Sequence, residues 1–292
     1  MMVGSKDDFA KDVRARLQDV ELNILEQGLL DKFLQDPSTC AKNVLGLLRK
    51  LEEKNLDNKF TLKKLRKVIP LFDEHDFWHT QPVPRYYDSV PDSDYNAPIE
   101  TKTVNEVQQE PYALPKGYHW SEINLHEKEQ AEELYKLLAD HYVEDSEGKF
   151  RFDYSIDFLK WALTPPGQYP EWLVGVRGGQ ANQLYGFLSA IPVHMVVNGR
   201  EILMAEVNFL CVDKRLRAKR LAPILIKEIT RRVNLKNIWQ AIYTSGVTLP
   251  TPFGTAPYWH RNLNPKKTCE VQFSYKPMNV PMANFIKKHK LP

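Results

Sequence analysis

The stretch that decides the fold runs from Glu206 to Leu235 and reads EVNFLCVDKRLRAKRLAPILIKEITRRVNL. Its first part, up to Val212, is an apolar run of the kind that forms a buried β-strand. Leu221–Leu235 then repeats apolar residues at helical spacing, and a basic loop joins the two parts. This order of strand, loop and helix is typical of α/β proteins.

Positive charge is concentrated where the strand meets the helix. Residues 213–236 include nine basic and two acidic side chains, whereas the net charge of the whole chain is only +3. Arg217, Lys219 and Arg220 fall where the first helical turn offers unpaired N–H groups and a positive dipole end. These residues predict a pyrophosphate site. A helix face that merely aids solubility is the simpler interpretation for three others: Lys227, Arg231 and Arg232.

Two common phosphate-binding motifs are excluded. No GxxxxGK[ST] sequence occurs, so there is no Walker loop, and the junction has no glycine, which excludes a Rossmann fingerprint. The spacing RxxxxA from Arg217 to Ala222 instead resembles the pattern with which acyl-CoA-dependent N-acyltransferases bind the CoA pyrophosphate. Glycine is usual in that superfamily at the position of Arg220, so the chain departs from the pattern there.

The C-terminal part of the chain mixes strands and helices. Asn198-Gly199 is a strong hairpin signal that favours a type I′ turn. The predicted strands are 172–177, 184–197, 201–212, 238–246 and 271–275. The predicted helices are 128–141, 221–235 and 282–290. With the resemblance above, these elements predict an α/β (α+β) fold, an acyl-CoA N-acyltransferase-like mixed sheet flanked by helices.

Two segments precede that domain, which we assign to residues 118–292. Residues 1–70 repeat apolar side chains at helical spacing and predict a small helical extension, whose role stays open. Residues 71–117 contain six prolines and predict an extended arm laid over the globular body. The pair Phe77–Trp78 in this arm either docks it on the core or lines a ligand site.

Composition narrows the classes of protein. Hydrophobic residues make up 42% and charged residues 26% of the 292, as in ordinary globular proteins. The three cysteines, Cys40, Cys211 and Cys269, lie far apart and near no histidine cluster, so we expect neither a disulfide nor a metal site. No run of 18 apolar residues occurs and the charged start is unlike a signal peptide, which favours a cytoplasmic location. The balanced charge gives no reason to expect a nucleic-acid partner.

Longer strings carry a more specific resemblance. They are FWHTQPVP (77–84), HYVEDSEGKFRFDYS (141–155), FLKWAL (158–163), EVNFLCVDKRLRAKRLAPILIKEITRRVN (206–234), QAIYTSGV (240–247) and YWHRNLNPKK (258–267). In these strings the chain resembles the glycylpeptide N-tetradecanoyltransferases, or N-myristoyltransferases. The resemblance covers residues 73–292 nearly continuously. It reaches only the N-terminal half of that family's catalytic region, because a full member has a second, pseudo-symmetric half.

The resemblance implies a reaction and a set of catalytic positions. Myristoyl-CoA binds first as cosubstrate, with no prosthetic group, and the N-terminal glycine amine of a peptide or protein then attacks the thioester directly. The absence of a Ser or Cys nucleophile elbow agrees with direct attack. By resemblance the oxyanion hole consists of the backbone amides of Phe209 and Leu210, freed by a strand bulge. Asn208 and Thr244 match polar positions near the incoming amine.

The resemblance also implies acyl-CoA contacts. These lie in the arm, in the strand and at the start of the following helix: Asp76, Phe77, Trp78, Phe209, Leu210, Cys211, Val212, Arg217, Ala218, Lys219, Arg220, Leu221 and Ala222. Ala218 replaces the serine that is usual in the family's basic loop, which removes one hydroxyl hydrogen bond to phosphate. Cys211 is better interpreted as a small strand residue than as a nucleophile.

Peptide contacts are implied at a third group of positions: Tyr142, Val143, Glu144, Asp145, Phe150, Arg151, Phe152, Tyr258 and His260. Six acidic residues between Asp140 and Asp157 suit substrates with basic residues after the glycine. Without the resemblance, this segment would be interpreted as a solvated acidic loop, and His260 as a structural histidine.

The general base is the missing part of this interpretation. In the family, the carboxylate at the end of the second half takes the amine proton, whereas this sequence ends at Pro292, near the hinge between halves. Two alternatives to an N-myristoyltransferase therefore stay open. One is a non-catalytic long-chain acyl-CoA-binding protein and the other is an interaction protein that uses the N-terminal helices. Proximity to a membrane surface or to ribosomes is also left open.

Overall fold

The structure is a computed structural model. It describes residues 77–83, 96–100, 102–144, 148–246, 254 and 256–290. The helical extension expected over residues 1–70 lies outside the described residues, as does much of the proline-rich arm.

A single five-stranded sheet organises the described part of the chain. Its strands follow one another in chain order, with antiparallel pairing throughout except between the last two, which are parallel. They are β1 (Tyr118–Glu122), β2 (Leu173–Gly178), β3 (Gln183–Val197), β4 (Arg200–Val212) and β5 (Ala241–Tyr243). The helices are α1 (Lys128–His141), α2 (Ile156–Leu163), α3 (Leu221–Asn234), α4 (Pro265–Glu270) and α5 (Met282–Lys288).

Helices cover both faces of the sheet. On one face α1 and α2 pack through a cluster that includes Leu134, Leu159 and Phe187. On the other face α3 packs through a second cluster, in which Leu225 and Leu188 are buried. Because Phe187 and Leu188 are neighbours on β3, the alternation of a strand sends one side chain into each cluster. The α/β fold with a mixed sheet between helices is confirmed.

The hairpin between β3 and β4 turns where the sequence predicts. Asn198 and Gly199 both have positive φ, at 49° and 75°, which is the requirement of a type I′ turn. This turn sets the register in which the two longest strands pair, from Val197 opposite Arg200 down to Gly186 opposite Val212.

Other boundaries differ from the sequence prediction. The strand expected over 271–275 is wrong: these residues form turns, because the chain folds back on the end of α4 and the Phe273 and Ser274 amides both donate to the Thr268 carbonyl. The strand expected over 238–246 shortens to β5, since only three of its residues pair with β4. The short elements β1, α2 and α4 were not predicted.

A buried carboxylate ties α3 to the rest of the molecule. Glu228 is fully buried and accepts hydrogen bonds from Arg231, at 2.7 and 3.0 Å, and from Arg232, at 2.8 Å. Its Oε2 atom, which also accepts from Arg231, accepts from the Tyr112 backbone amide at 3.1 Å. Arg231 also donates to carbonyls of residues 108 and 109. Arg231 and Arg232 are therefore structural, not the solubility face that the sequence suggested.

The contacts with Arg231 and Arg232 also lower the pKa of the Glu228 carboxyl. Burial acts to raise the pKa of its carboxyl, but the hydrogen bonds from Arg231 and Arg232 outweigh burial and hold that pKa below the ordinary value. The group therefore stays charged, and the two buried guanidinium groups keep their partner.

We predict that Glu228→Ala lowers the free energy of unfolding by about 3–5 kcal/mol, because it leaves two buried guanidinium groups without their carboxylate. Urea denaturation followed by circular dichroism measures this. Glu132→Gln is the matched control, since it removes an exposed pair with Lys128 and should cost less than about 0.5 kcal/mol. Equal losses in the two variants would contradict the assignment.

Candidate functional site

The site begins at an irregularity of β4. Phe187 pairs with Cys211 and Ser189 pairs with Asn208, so Leu188 alone faces both Phe209 and Leu210. Two residues against one make a β-bulge. Phe209 has a φ of 59°, in the left-handed region that costs a non-glycine residue about 1–2 kcal/mol. Strain of this kind is retained where surrounding structure enforces it, most often at functional sites.

Aromatic rings hold the side chain of Phe209. Tyr142 lies 5.7 Å from it and Tyr154 meets it edge-on at 5.3 Å, both measured between ring centroids. Burial is the main reason that the pKa of Tyr142 is raised, and the nearby backbone amide of Phe209 opposes this effect.

Two polar positions lie side by side next to the bulge. Val207 on β4 pairs with Tyr243 on β5, so Asn208 and Thr244 each follow the last paired residue of two parallel strands. The Asn208 amide group donates to the Glu206 carboxylate at 2.8 Å, which orients it. Thr244 is exposed. The structure brings these two predicted residues together.

Cys211 is not suited to nucleophilic chemistry. Its thiol is buried, lies 3.7 Å from the Leu137 carbonyl oxygen, and has a pKa that burial raises to about 12. A thiol with this pKa is protonated at neutral pH, and the thiolate is the reactive form.

The basic junction adopts two consecutive local structures. Residues 214–219 form a 3-10 helix, and Arg220 then takes a left-handed conformation, with a φ of 55°, as the residue before α3. No side chain caps this helix start and no acidic residue lies in its first turn. Glycine adopts the left-handed conformation at the lowest cost, which accounts for glycine as the usual residue here in acyl-CoA N-acyltransferases. The Leu221 and Ala222 amides remain as donors at the helix start.

The basic residues of the junction have different partners. Arg215 forms an ion pair with the buried Asp213 at 2.6 Å, and Lys214 forms one with Glu144 at 2.6 Å. Arg217 donates to the backbone carbonyls of Val212 and His141. In the part of the chain that the structure describes, Lys219 and Arg220 are exposed and have no ion pair, so they are the cations open to an anionic ligand. Ala218 lies between them and is also exposed.

The aromatic pair of the arm, Phe77 and Trp78, packs against β5. Trp78 stacks on Tyr243 with ring centroids 5.5 Å apart and planes 6° from parallel, and Phe77 meets Trp78 edge-on at 5.1 Å. One face of the indole therefore packs on the strand that precedes Thr244. Asp76, also expected here, lies outside the described residues.

The predicted peptide residues fall into two groups. Tyr142 contacts Phe209, while Phe152 reaches the same cluster by stacking on Tyr154 at 5.6 Å. Glu144 and Arg151 bridge across their loop as an ion pair at 3.2 Å. Val143 is exposed. Asp145 lies outside the described residues.

The second group meets around Phe273. Phe150 contacts that ring at 5.2 Å and His260 contacts it at 6.1 Å, both edge-on. Tyr258 is 91% exposed. The two groups are joined through the loop that carries Phe150 and Phe152.

Several residues of the site were missed in the sequence. Ser189 and Glu206 bind Asn208 through its carbonyl and its side chain. Tyr154 joins the aromatic cluster, and Lys214 pairs with Glu144. A serine in the apolar run GFLSAIP (186–192) was the one usable signal, because a buried hydroxyl needs a partner.

Two negative observations complete the site. Among the residues that the structure describes, no three His, Cys, Asp or Glu side chains are grouped to hold a metal ion. Within the same residues, no helix combines the length and the apolarity that crossing a bilayer requires.

Comparisons with known proteins agree on one family. The model of the family "Myristoyl-CoA:protein N-myristoyltransferase, N-terminal domain" matches residues 98–256. A glycylpeptide N-tetradecanoyltransferase of Dictyostelium discoideum is 46% identical over 245 residues, which are 80% of this chain and 59% of that one. Glycylpeptide N-tetradecanoyltransferase 1 of Arabidopsis thaliana is 51% identical over 75% of this chain and 50% of its own.

A solved structure gives the same result. The crystal structure of Saccharomyces cerevisiae N-myristoyltransferase with bound myristoyl-CoA superposes with a TM-score of 0.70 and 43% identity, covering 75% of this chain and 51% of the yeast chain. This chain thus spans about half the length of the relatives it matches. On the fold, the family match and these identities, the chain belongs to the N-myristoyltransferase family.

Proposed function

We propose that the chain binds myristoyl-CoA and takes part in transferring its acyl group to the N-terminal glycine amine of a peptide or protein. The observation that carries this proposal is the β4 bulge, followed along the chain by a basic, uncapped helix start. The first offers backbone amides to a carbonyl oxygen and the second offers cations and N–H groups to phosphate. The names of the relatives and the bound ligand of the yeast structure support it.

In the proposed reaction, the glycine amine attacks the thioester carbonyl directly. The new C–N bond forms as the C–S bond breaks, CoA leaves as its thiolate, and the amine loses a proton. The high pKa of Cys211 supports direct attack, because that thiol is not an acceptor for the acyl group. Charge that develops on the thioester oxygen is stabilised by the amides of Phe209 and Leu210, at about 3 kcal/mol per donor.

The remaining predicted residues take supporting roles in this proposal. Asn208 and Thr244 orient the amine, since each directly follows the last residue pair that joins β4 to β5. Lys219 and Arg220 bind the pyrophosphate together with the Leu221 and Ala222 amides. The loop from Tyr142 to Phe152 contacts the peptide.

The free thiols of Cys211 and Cys269 fit a reducing compartment, and we place the protein in the cytoplasm.

A second candidate is acyl-CoA binding without efficient transfer. The chain covers 59% of the Dictyostelium relative, so part of that enzyme has no counterpart in these residues. If the proton acceptor lies in that part, these 292 residues retain the cosubstrate site without it.

We predict that isothermal titration calorimetry with myristoyl-CoA shows binding that weakens with added salt, because phosphate–cation attraction is screened. Arg220→Glu should weaken binding severely, since it places a negative charge at the helix start. Lys227→Glu is the control, with the same change in net charge nearly two turns further along α3. Unchanged affinity in Arg220→Glu would contradict the phosphate assignment.

We predict that Trp78→Ala lowers affinity for myristoyl-CoA while the α/β core stays folded, because the indole stacks on Tyr243 beside the proposed cosubstrate site and belongs to neither core cluster. Calorimetry and thermal melting without ligand measure the two effects. Tyr243→Phe is the control, since it keeps the ring on which Trp78 stacks. A large fall in melting temperature with unchanged affinity would indicate that Trp78 only docks the arm.

We predict that these 292 residues acylate peptides with N-terminal glycine slowly despite binding myristoyl-CoA. General-base catalysis contributes roughly 10²–10⁴-fold, and correct placement of the amine contributes further. Joining the chain to the portion of the Dictyostelium relative that it does not match should raise the single-turnover rate, measured by mass spectrometry. A normal enzymic rate from the 292 residues alone would show that a residue within them takes the proton.

A further inference from the structure

The β4 bulge has one buried polar contact that its own strand does not supply. Ser189 on β3 lies directly opposite Asn208 and is fully buried. Its hydroxyl donates to the Asn208 carbonyl oxygen at 2.8 Å. We propose that Ser189 is the positioning residue of the oxyanion hole, and this inference rests on the proposed function above.

The planarity of the peptide bond connects Ser189 to the amide of Phe209. The carbonyl of Asn208 and the N–H of Phe209 are opposite ends of one rigid peptide unit. A hydrogen bond that fixes the carbonyl therefore also fixes the direction of the N–H. Ser189 holds the carbonyl end on the β3 side, so the N–H end of the same unit points away from β3.

The same hydrogen bond affects the strength of the donor. Hydrogen bonds in series polarise one another, so an amide whose carbonyl accepts a bond donates a stronger one through its N–H. Ser189 thus acts on the thioester through the peptide unit and does not touch it. Removing its hydroxyl should leave the Asn208 carbonyl underbonded and let the unit rotate, because Phe209 is held in a left-handed conformation that is unfavourable by itself.

The residues next to Ser189 along β3 are apolar, and the Asn208 carbonyl is its hydrogen-bond partner. Its neighbours in the run from Phe187 to Ala190 are buried and apolar, and alanine or valine would fill such a position without a partner. The Ser121 oxygen on β1 provides a contrast, because it is also buried but has no hydrogen-bond partner among the described residues.

The experiment measures the thioester in place and needs no turnover. Myristoyl-CoA labelled with ¹³C at the carbonyl is bound to the full chain, and isotope-edited infrared spectroscopy records the carbonyl stretching frequency. Binding to the wild-type chain should lower the carbonyl stretching frequency below its value in a water-free solvent, because hydrogen bonds from the bulge polarise the carbonyl. Ser189→Ala should lose most of this shift with little change in the dissociation constant, which is set by the phosphates. Ser121→Ala is the matched control and should keep the shift.

Each outcome separates the inference from the function on which it rests. A full shift in Ser189→Ala overturns the role of Ser189, and a fall in affinity or melting temperature with an unchanged shift assigns it to packing alone. Ser189→Cys, nearly the same size but a weaker donor, should reduce the shift part way, and it decides the matter if the alanine variant does not fold. Wild type that binds without any shift overturns the oxyanion hole and the inference together. Wild type that does not bind at all overturns the proposed function.

Discussion

The hydrogen bonds of the buried Glu228 carboxylate fix the position of α3 against the segments that precede β1 and β2. They join the last turns of α3 to the segment before β1, and through Arg232 to the Glu171 carbonyl before β2. Because α3 is fixed at this end, its first turn is held at a constant place beside the end of β4. The relation between the bulge and the basic helix start therefore depends on a charge cluster about two turns further along α3, and on the pairing of the charges within it.

The sequence was sufficient for the elements with strong patterns. The helix Lys128–His141 agrees with the structure at both ends, and Asn198-Gly199 makes the expected turn. The predicted strand over 271–275 failed because β-branched and aromatic residues there describe a preference for a half-buried surface, not a partner strand. Short elements such as β1 depend on pairing with residues distant in sequence. The alternation of apolar residues within one strand does not identify such a partner.

In the candidate site too, some features have a local sequence signal and others depend on the fold. Residue types predicted the basic junction as a phosphate site, since cations next to a helix start can be recognised from local sequence; the phosphate itself stays a prediction. The left-handed conformations of Phe209 and Arg220 have no local signal, because neither residue type favours them, and they arise from the register and the crossover around them. Ser189 and Tyr154 act on Asn208 and Phe209, which are distant in sequence, so the fold was needed to identify these partners. Glu206 binds Asn208, two residues along the same strand, and carried no signal that set it apart from other carboxylates.

The ion pair between Lys214 and Glu144 joins two loops that serve different substrates in the proposed reaction. Lys214 begins the basic junction and Glu144 belongs to the loop that carries Phe150 and Phe152. The bond with Lys214 is the main reason that the pKa of the Glu144 carboxyl is lowered. A ligand at either loop that changes this contact alters the electrostatic free energy of the other. By thermodynamic linkage such an effect is reciprocal, so a substrate of the proposed reaction that changes this contact couples the two affinities to the same extent in both directions.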